Sequence, residues 1–347
     1  MPSSKKKKRK IQLKDIFYLI LLGLFIYVIY QRRDEVLEVL RAAVTVKWQF
    51  LIYALLIWLI WQLNLSFYYV SCYRVLKMRV KWYQFFWLTL AANFLGMVAP
   101  SGGFVAAVGY IIQDGYRRGL PRAKLMMANI VYWMVFYSVF VFLLIVSLFY
   151  LLIRNTITDF IVVPALIMFA IVMALFIFFI LFLNDFDKFK SSALMVVGKI
   201  NQLRARLGMD VMWDAKTVKK YAFELFEGYH FVLSNVVKLR RVLMHAFFHI
   251  VINVGILSVL VMAVDGDWQS WGVLLATYVV AALLMVVSVT PSGVGVVEVA
   301  MVMILSSFLL TVEKSLVVVL LFRLYQFWLP LVLGFVTFRL RGGGDKN

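Results

Sequence analysis

Cys72 is the only cysteine in 347 residues, so the chain can form no internal disulfide and no cysteine-based metal or redox centre. Acid is scarce as well: 17 Asp and Glu stand against 36 Lys and Arg, and charged residues of all kinds make up 15%. The sequence has no Walker A motif, no nucleotide-binding glycine fingerprint and no serine-nucleophile elbow, so it does not point to an enzyme, nor to any nucleotide cofactor. His245 and His249 stand four residues apart without the carboxylate of an HExxH pair, and no metal is expected there.

What the chain has in abundance is apolar length. It is 64% hydrophobic, its mean hydropathy is +0.92, and several runs reach about 20 residues, enough to cross about 30 Å of hydrocarbon. These features predict an all-α polytopic membrane protein. The net charge of +19 does not predict a nucleic-acid partner, because the positive residues cluster in a few loops between apolar runs. The tail 1–15, with Lys5 to Lys10, precedes an apolar run from Ile16 and lacks a small-residue cleavage site. It reads as a cytoplasmic anchor before an uncleaved span.

Loop charge sets the topology. Loop 74–81 carries four cations and no acid, and loop 113–124 carries four cations against Asp114; both are predicted inside. Loop 184–241 has eleven cations against six acids and is also inside, as is the C-terminal tail. Residues 154–159 and 265–270 are predicted outside.

Between two inside loops lies the segment Asn93 to Tyr110, which carries Pro100-Ser101-Gly102-Gly103. Proline and paired glycines break a helix, so this segment predicts a re-entrant hairpin. Pro291-Ser292-Gly293 repeats the break 191 residues later, with both flanks outside. There, two full spans with arms of about 20 residues give the same parity as a hairpin. The chain thus divides into halves at 16–153 and 160–340, of opposite orientation, with about six spans and two broken hairpins. Helix N-termini after the two breaks would offer unpaired N–H groups to a phosphate or carboxylate. Close helix packing through Gly102, Gly103, Ala106, Ala107 and Gly109 is the other use of these residues.

Charges inside spans are costly, which marks Glu298 and Arg323 as partners for each other or for a lipid head group. Gln62, Asn64 and Asn93 in the first half, and His249 and Asn253 in the second, either line a cavity or bond helices together. From Asp214 onward, Val218, Tyr221, Leu225, Tyr229 and Val232 form the apolar face of an amphipathic helix suited to a membrane surface.

Three stretches together resemble a known family. They are Arg117-Arg118-Gly119 with Pro121, "TPSGVGVVEVA" with Pro291, Gly293, Gly295 and Glu298, and "RLYQFWLPLVLG" with Arg323, Tyr325 and Pro330. They are similar to the flippase-like membrane region of lysylphosphatidylglycerol synthases, over about 14–340. Where many members have Gly-Glu-x-x-Arg, this chain has Gly103-Phe104-Val105-Ala106-Ala107, which leaves side-chain charge to the second half.

The resemblance implies movement of a polar-headed lipid between leaflets. Taken with the helix N-termini after the two breaks, this puts the expected head-group site at Pro100, Ser101, Gly102, Gly103, Pro291, Ser292, Gly293, Gly295, Glu298, Arg323 and Tyr325. The expected setting is a prokaryotic cytoplasmic membrane. Membrane lipids, anionic phospholipid or polyprenyl-phosphate, are the expected partners, with a homodimer or a lipid-modifying enzyme as the protein partner. The alternative is a non-transporting scaffold for such an enzyme or a glycosyltransferase.

Overall fold

Apolar residues dominate both faces of the longest segments, and they form helices. A computed structural model describes residues 33–98, 103–154, 185–206, 214–265, 271–287 and 295–342, with isolated positions between. The expected spans near 16–30 and 160–183 fall largely outside these residues, as do Pro100, Ser101, Gly102, Pro291 and Ser292. No strand occurs among the described residues.

The first half contains α1 (Arg33–Thr45), α2 (Trp48–Val75), α3 (Trp82–Val98), α4 (Gly103–Arg117) and α5 (Arg122–Ile153). On the predicted inner side follow α6 (Phe186–Arg206) and α7 (Ala215–Leu233). The second half contains α8 (Leu239–Asp265), α9 (Trp271–Val287), α10 (Val296–Phe308), α11 (Val312–Arg323), a π turn at Leu324–Trp328, and α12 (Leu329–Gly342). Among the described residues four stretches are long and apolar enough to cross a membrane: Trp48–Val75, Arg122–Ile153, Leu239–Val264 and Val312–Arg341. The protein is a polytopic helical membrane protein.

Backbone chemistry ends these helices where the sequence allows it. At the end of α4, Leu120 N–H reaches the Gly115 carbonyl and Gly119 N–H the Tyr116 carbonyl, with Gly119 at φ +81°. This is a Schellman cap, which favours glycine in the left-handed position. Pro121 then precedes α5, so the Gly119-x-Pro121 pattern is a stop and a restart. The same cap closes α2, where Lys77 takes φ 59° and Met78 N–H bonds the Tyr73 carbonyl.

The two breaks yield matching hairpins. The α3 and α4 arms have 17 and 15 residues, and those of α9 and α10 have 17 and 13. At 1.5 Å per residue these are about 20–26 Å long, short of about 30 Å of hydrocarbon. The described arms of the second segment, 17 and 13 residues, are shorter than the 20 residues its apolar run suggested.

The 191-residue offset relates α2–α5 to α8–α12. Shifted by it, the bounds of α2 become 239 and 266, against 239 and 265 in α8. Those of α5 become 313 and 344, against 312 and 342 for α11 through α12. Packing repeats too: α5 lies on α9, α12 lies on α3, and α2 packs on α8. Asn64 meets His245 while Trp61 meets His249, so α2 and α8 run antiparallel. Equivalent helices run this way when the repeat axis lies in the membrane plane.

Gly334 sets the distance between α12 and α3. A Cβ there would lie 2.5 Å from the Leu90 carbonyl oxygen and 2.8 Å from Phe94 Cβ. Backbone cannot yield as a side chain does, so the helices would have to separate. Gly334→Leu is expected to cost about 1–3 kcal/mol, the usual range for overpacking, read as a lower melting temperature in detergent. Gly109→Ala, where a Cβ meets nothing within 4 Å, should leave melting unchanged.

The amphipathic helix is only partly as expected. Val218, Ala222, Tyr229 and Val232 of α7 are buried, but against α5 and α6. Its apolar face is covered by protein, an outcome that periodicity alone cannot distinguish from burial in lipid. At its start the Thr217 hydroxyl and N–H hold the Asp214 carboxyl below the usual carboxylate range.

Candidate functional site

The second break is built around two glycines and a carboxylate. Gly293 and Gly295 take φ +68° and +85°, a region costly for any residue with a Cβ. Gly293 is also confined: a Cβ would lie 2.9 Å from Met285 Cα. Gly295 meets nothing within 4 Å, so only its backbone conformation demands glycine.

Glu298 stands in the first turn of α10, and its two oxygens have separate tasks. Oε2 accepts the Gly295 N–H at 2.8 Å, and Oε1 accepts Arg323 Nε at 2.5 Å. The side chains are 16% and 5% exposed, so the pair is held largely away from water. The helix N-terminus expected to receive a lipid anion therefore already holds the protein's own carboxylate. Its charge is balanced by Arg323 from the end of α11.

Beyond Arg323 the helix widens. Pro330 has no N–H to offer the Gln326 carbonyl, and a π turn occupies the residues before it. Side chains at this turn reach three other helices. Arg323 bonds α10, the Tyr325 hydroxyl donates to the Leu51 carbonyl of α2 at 2.6 Å, and the Gln326 amide donates to Asn253 Oδ1 of α8. Tyr325 is thus committed to backbone rather than presented to a head group.

The first half has no such pair. Counting back 191 residues, Glu298 and Arg323 correspond to Ala107 and Tyr132. Tyr132 is buried and stacks on Tyr69 with ring centres 4.4 Å apart. Its carbonyl accepts the Tyr68 hydroxyl at 2.7 Å. Aromatic packing stands where the second half has the ion pair. Gly103 begins α4.

The polar residues expected in the spans form a seam between helices. Gln62 donates to Thr89 Oγ1 at 2.8 Å and to the Phe86 carbonyl at 2.9 Å. Asn64 meets His245 through ring nitrogen and carbonyl, at 2.8 and 3.0 Å. Trp61 donates to His249 Nε2 at 3.3 Å. Asn253 donates to the His249 carbonyl at 2.7 Å. Gln62, Asn64, His249 and Asn253 are buried and serve helix-to-helix bonding, not the lining of an open cavity. Asn93 is half-buried in α3 and takes part in none of these bonds. Gln62 and Asn253 occupy equivalent places, 191 residues apart.

One pair escaped the sequence reading. Asp114 of α4 bonds Arg118 at 2.9 Å and Arg341 of α12 at 2.5 Å, which joins the first hairpin to the end of the second half. A signal existed, since Asp114 is the lone acid in its basic loop. Among the described residues no three His, Cys, Asp or Glu gather where they could hold a metal ion.

No curated protein matches this sequence. A family profile described as "Lysylphosphatidylglycerol synthase TM region" matches residues 16–334. With nearly the whole chain matched, this membrane protein belongs to the family of the lysylphosphatidylglycerol synthase transmembrane region.

Proposed function

We propose that the protein moves a polar-headed lipid, a phospholipid or polyprenyl-phosphate, between leaflets of a prokaryotic cytoplasmic membrane, without catalysing a reaction. The supporting observation is the antiparallel repeat: the first short-armed hairpin packs on α2 and the second on α8, α2 packs on α8, and the second hairpin holds a buried ion pair at its break. Broken helices at a repeat interface are the usual site of substrate in secondary transporters. Arg323 would meet the lipid phosphate when Glu298 releases it, and the Gly295 N–H would be freed in the same step. With no nucleotide-binding motif in the sequence, movement is downhill, driven by an ion gradient, or powered by a partner.

A second reading rests on α6 and α7, which expose Met195, Val196, Leu203 and Phe223 on the predicted inner side. This apolar surface suits a protein partner, so the chain would scaffold a lipid-modifying enzyme or glycosyltransferase. Purified protein in liposomes with fluorescent anionic lipid separates the two. Transport predicts faster leaflet exchange than in protein-free vesicles, with or without a supplied ion gradient. Exchange at the protein-free rate under both conditions would leave the scaffold.

A further inference from the structure

Away from both hairpins, α5 and α8 enclose an open groove of about 580 Å³, within the usual range of about 300–1,000 Å³ for ligand sites. Ser138, Val139 and Phe142 form one wall; Leu243, Met244, Phe247 and Phe248 form the other, and Arg240 stands among them at the start of α8. Phe142, Leu243, Met244, Phe247 and Phe248 are 44–62% exposed, so the groove opens outward to the lipid side of the helices.

Its chemistry divides along its length. The one hydroxyl among these lining residues, Ser138 Oγ, donates back to the Met134 carbonyl at 2.7 Å. Apart from Arg240, no free side-chain donor then remains among the lining residues, and their surface suits hydrocarbon. Arg240 is exposed and lies at the inner end, where loop 184–241 meets the membrane. From Arg240 to Phe248 the wall runs about 12 Å along the helix axis, the direction an acyl chain takes from its head group.

We propose that this groove is a binding site for an anionic phospholipid of the inner leaflet. One acyl chain lies between α5 and α8, and the lipid phosphate pairs with the Arg240 guanidinium. A guanidinium recognises phosphate by paired hydrogen bonds, and the aromatic and methionine wall accepts a chain of irregular shape. A zwitterionic lipid fills the same groove but brings its own cation beside Arg240, which disfavours it. The site is distinct from the breaks and does not rest on transport.

Photo-crosslinking of the full chain in liposomes tests this. The probes are phosphatidylglycerol with a mid-chain diazirine and phosphatidylcholine with the same chain. Adducts of phosphatidylglycerol should concentrate on Phe142, Met244, Phe247 and Phe248. Arg240→Gln should reduce them about fivefold, the worth of one basic residue at a membrane surface, and abolish the preference over phosphatidylcholine. Met244→Trp, which fills the groove and leaves the charge, should reduce adducts of both lipids. Equal labelling by the two lipids in the unaltered protein would overturn the proposal. So would unchanged labelling in Arg240→Gln, or adducts spread evenly over Val332 and Val336 of α12. Leaflet exchange on the same liposomes reports transport separately: adducts without exchange keep the site and remove the transporter.

Discussion

Arg323→Ala is expected to destabilise the protein by about 3–5 kcal/mol, the cost of leaving one member of a buried ion pair behind. Its guanidinium meets Glu298 at 2.5 Å with the side chain 5% exposed, and Glu298 cannot turn to water without giving up Gly295. Unfolding in detergent, followed by tryptophan fluorescence, measures this. Glu298→Ala should cost at least as much, because it strips the cap from α10 as well. Exchanging the two residues should not restore stability: an arginine at 298 has no acceptor for the Gly295 N–H. Replacing both by uncharged residues, Glu298→Gln with Arg323→Gln, should recover much of the loss. The amide carbonyl introduced at position 298 still accepts from Gly295, and no charge is left unpaired. A double-mutant cycle gives the coupling directly. If Arg323→Ala melts with the unaltered protein, the pair is not what holds the second hairpin to the last span.

How far the sequence led depends on the kind of information required. Apolar length located the four long spans among the described residues, and proline with glycine located both breaks, because these are local properties of the chain. Loop charge and the 191-residue offset together gave opposite orientation, which the antiparallel course of α2 and α8 matches. Glu298 and Arg323 were marked by the cost of intramembrane charge, and they meet. Partner choice was another matter. Gln62, Asn64, His249 and Asn253 were equally suited to a cavity or a seam until their neighbours were placed, and Tyr325 donates to a carbonyl 274 residues away in the chain. The π turn is a response to Pro330 that no periodicity announces. The apolar stripe of α7 has the same spacing whether lipid or α5 covers it.

Linking Asp114 to Arg341 should stop lipid movement if the two halves separate at their inner face. These side chains are 20% and 22% exposed, a partly buried pair, so breaking it should cost more than a surface pair and less than a fully buried one, about 1–2 kcal/mol. A contact that is cheaper to break than the buried Glu298–Arg323 pair and joins α4 of one half to α12 of the other suits a latch, whereas the buried pair suits a staple. The test is a protein with Cys72→Ala, Asp114→Cys and Arg341→Cys, joined by a short cleavable bismaleimide in liposomes. Joined, it should show leaflet exchange at the protein-free rate, and cleavage of the linker should restore it. Each single cysteine treated alike should leave exchange unchanged, which separates the link from damage by the reagent. Asp114→Asn alone should lower melting less than Arg323→Ala does, yet alter the rate of exchange, because removing a latch shifts the balance of open and closed forms. Full exchange with the link in place would mean that the halves do not part at α4 and α12, and the path would have to open elsewhere.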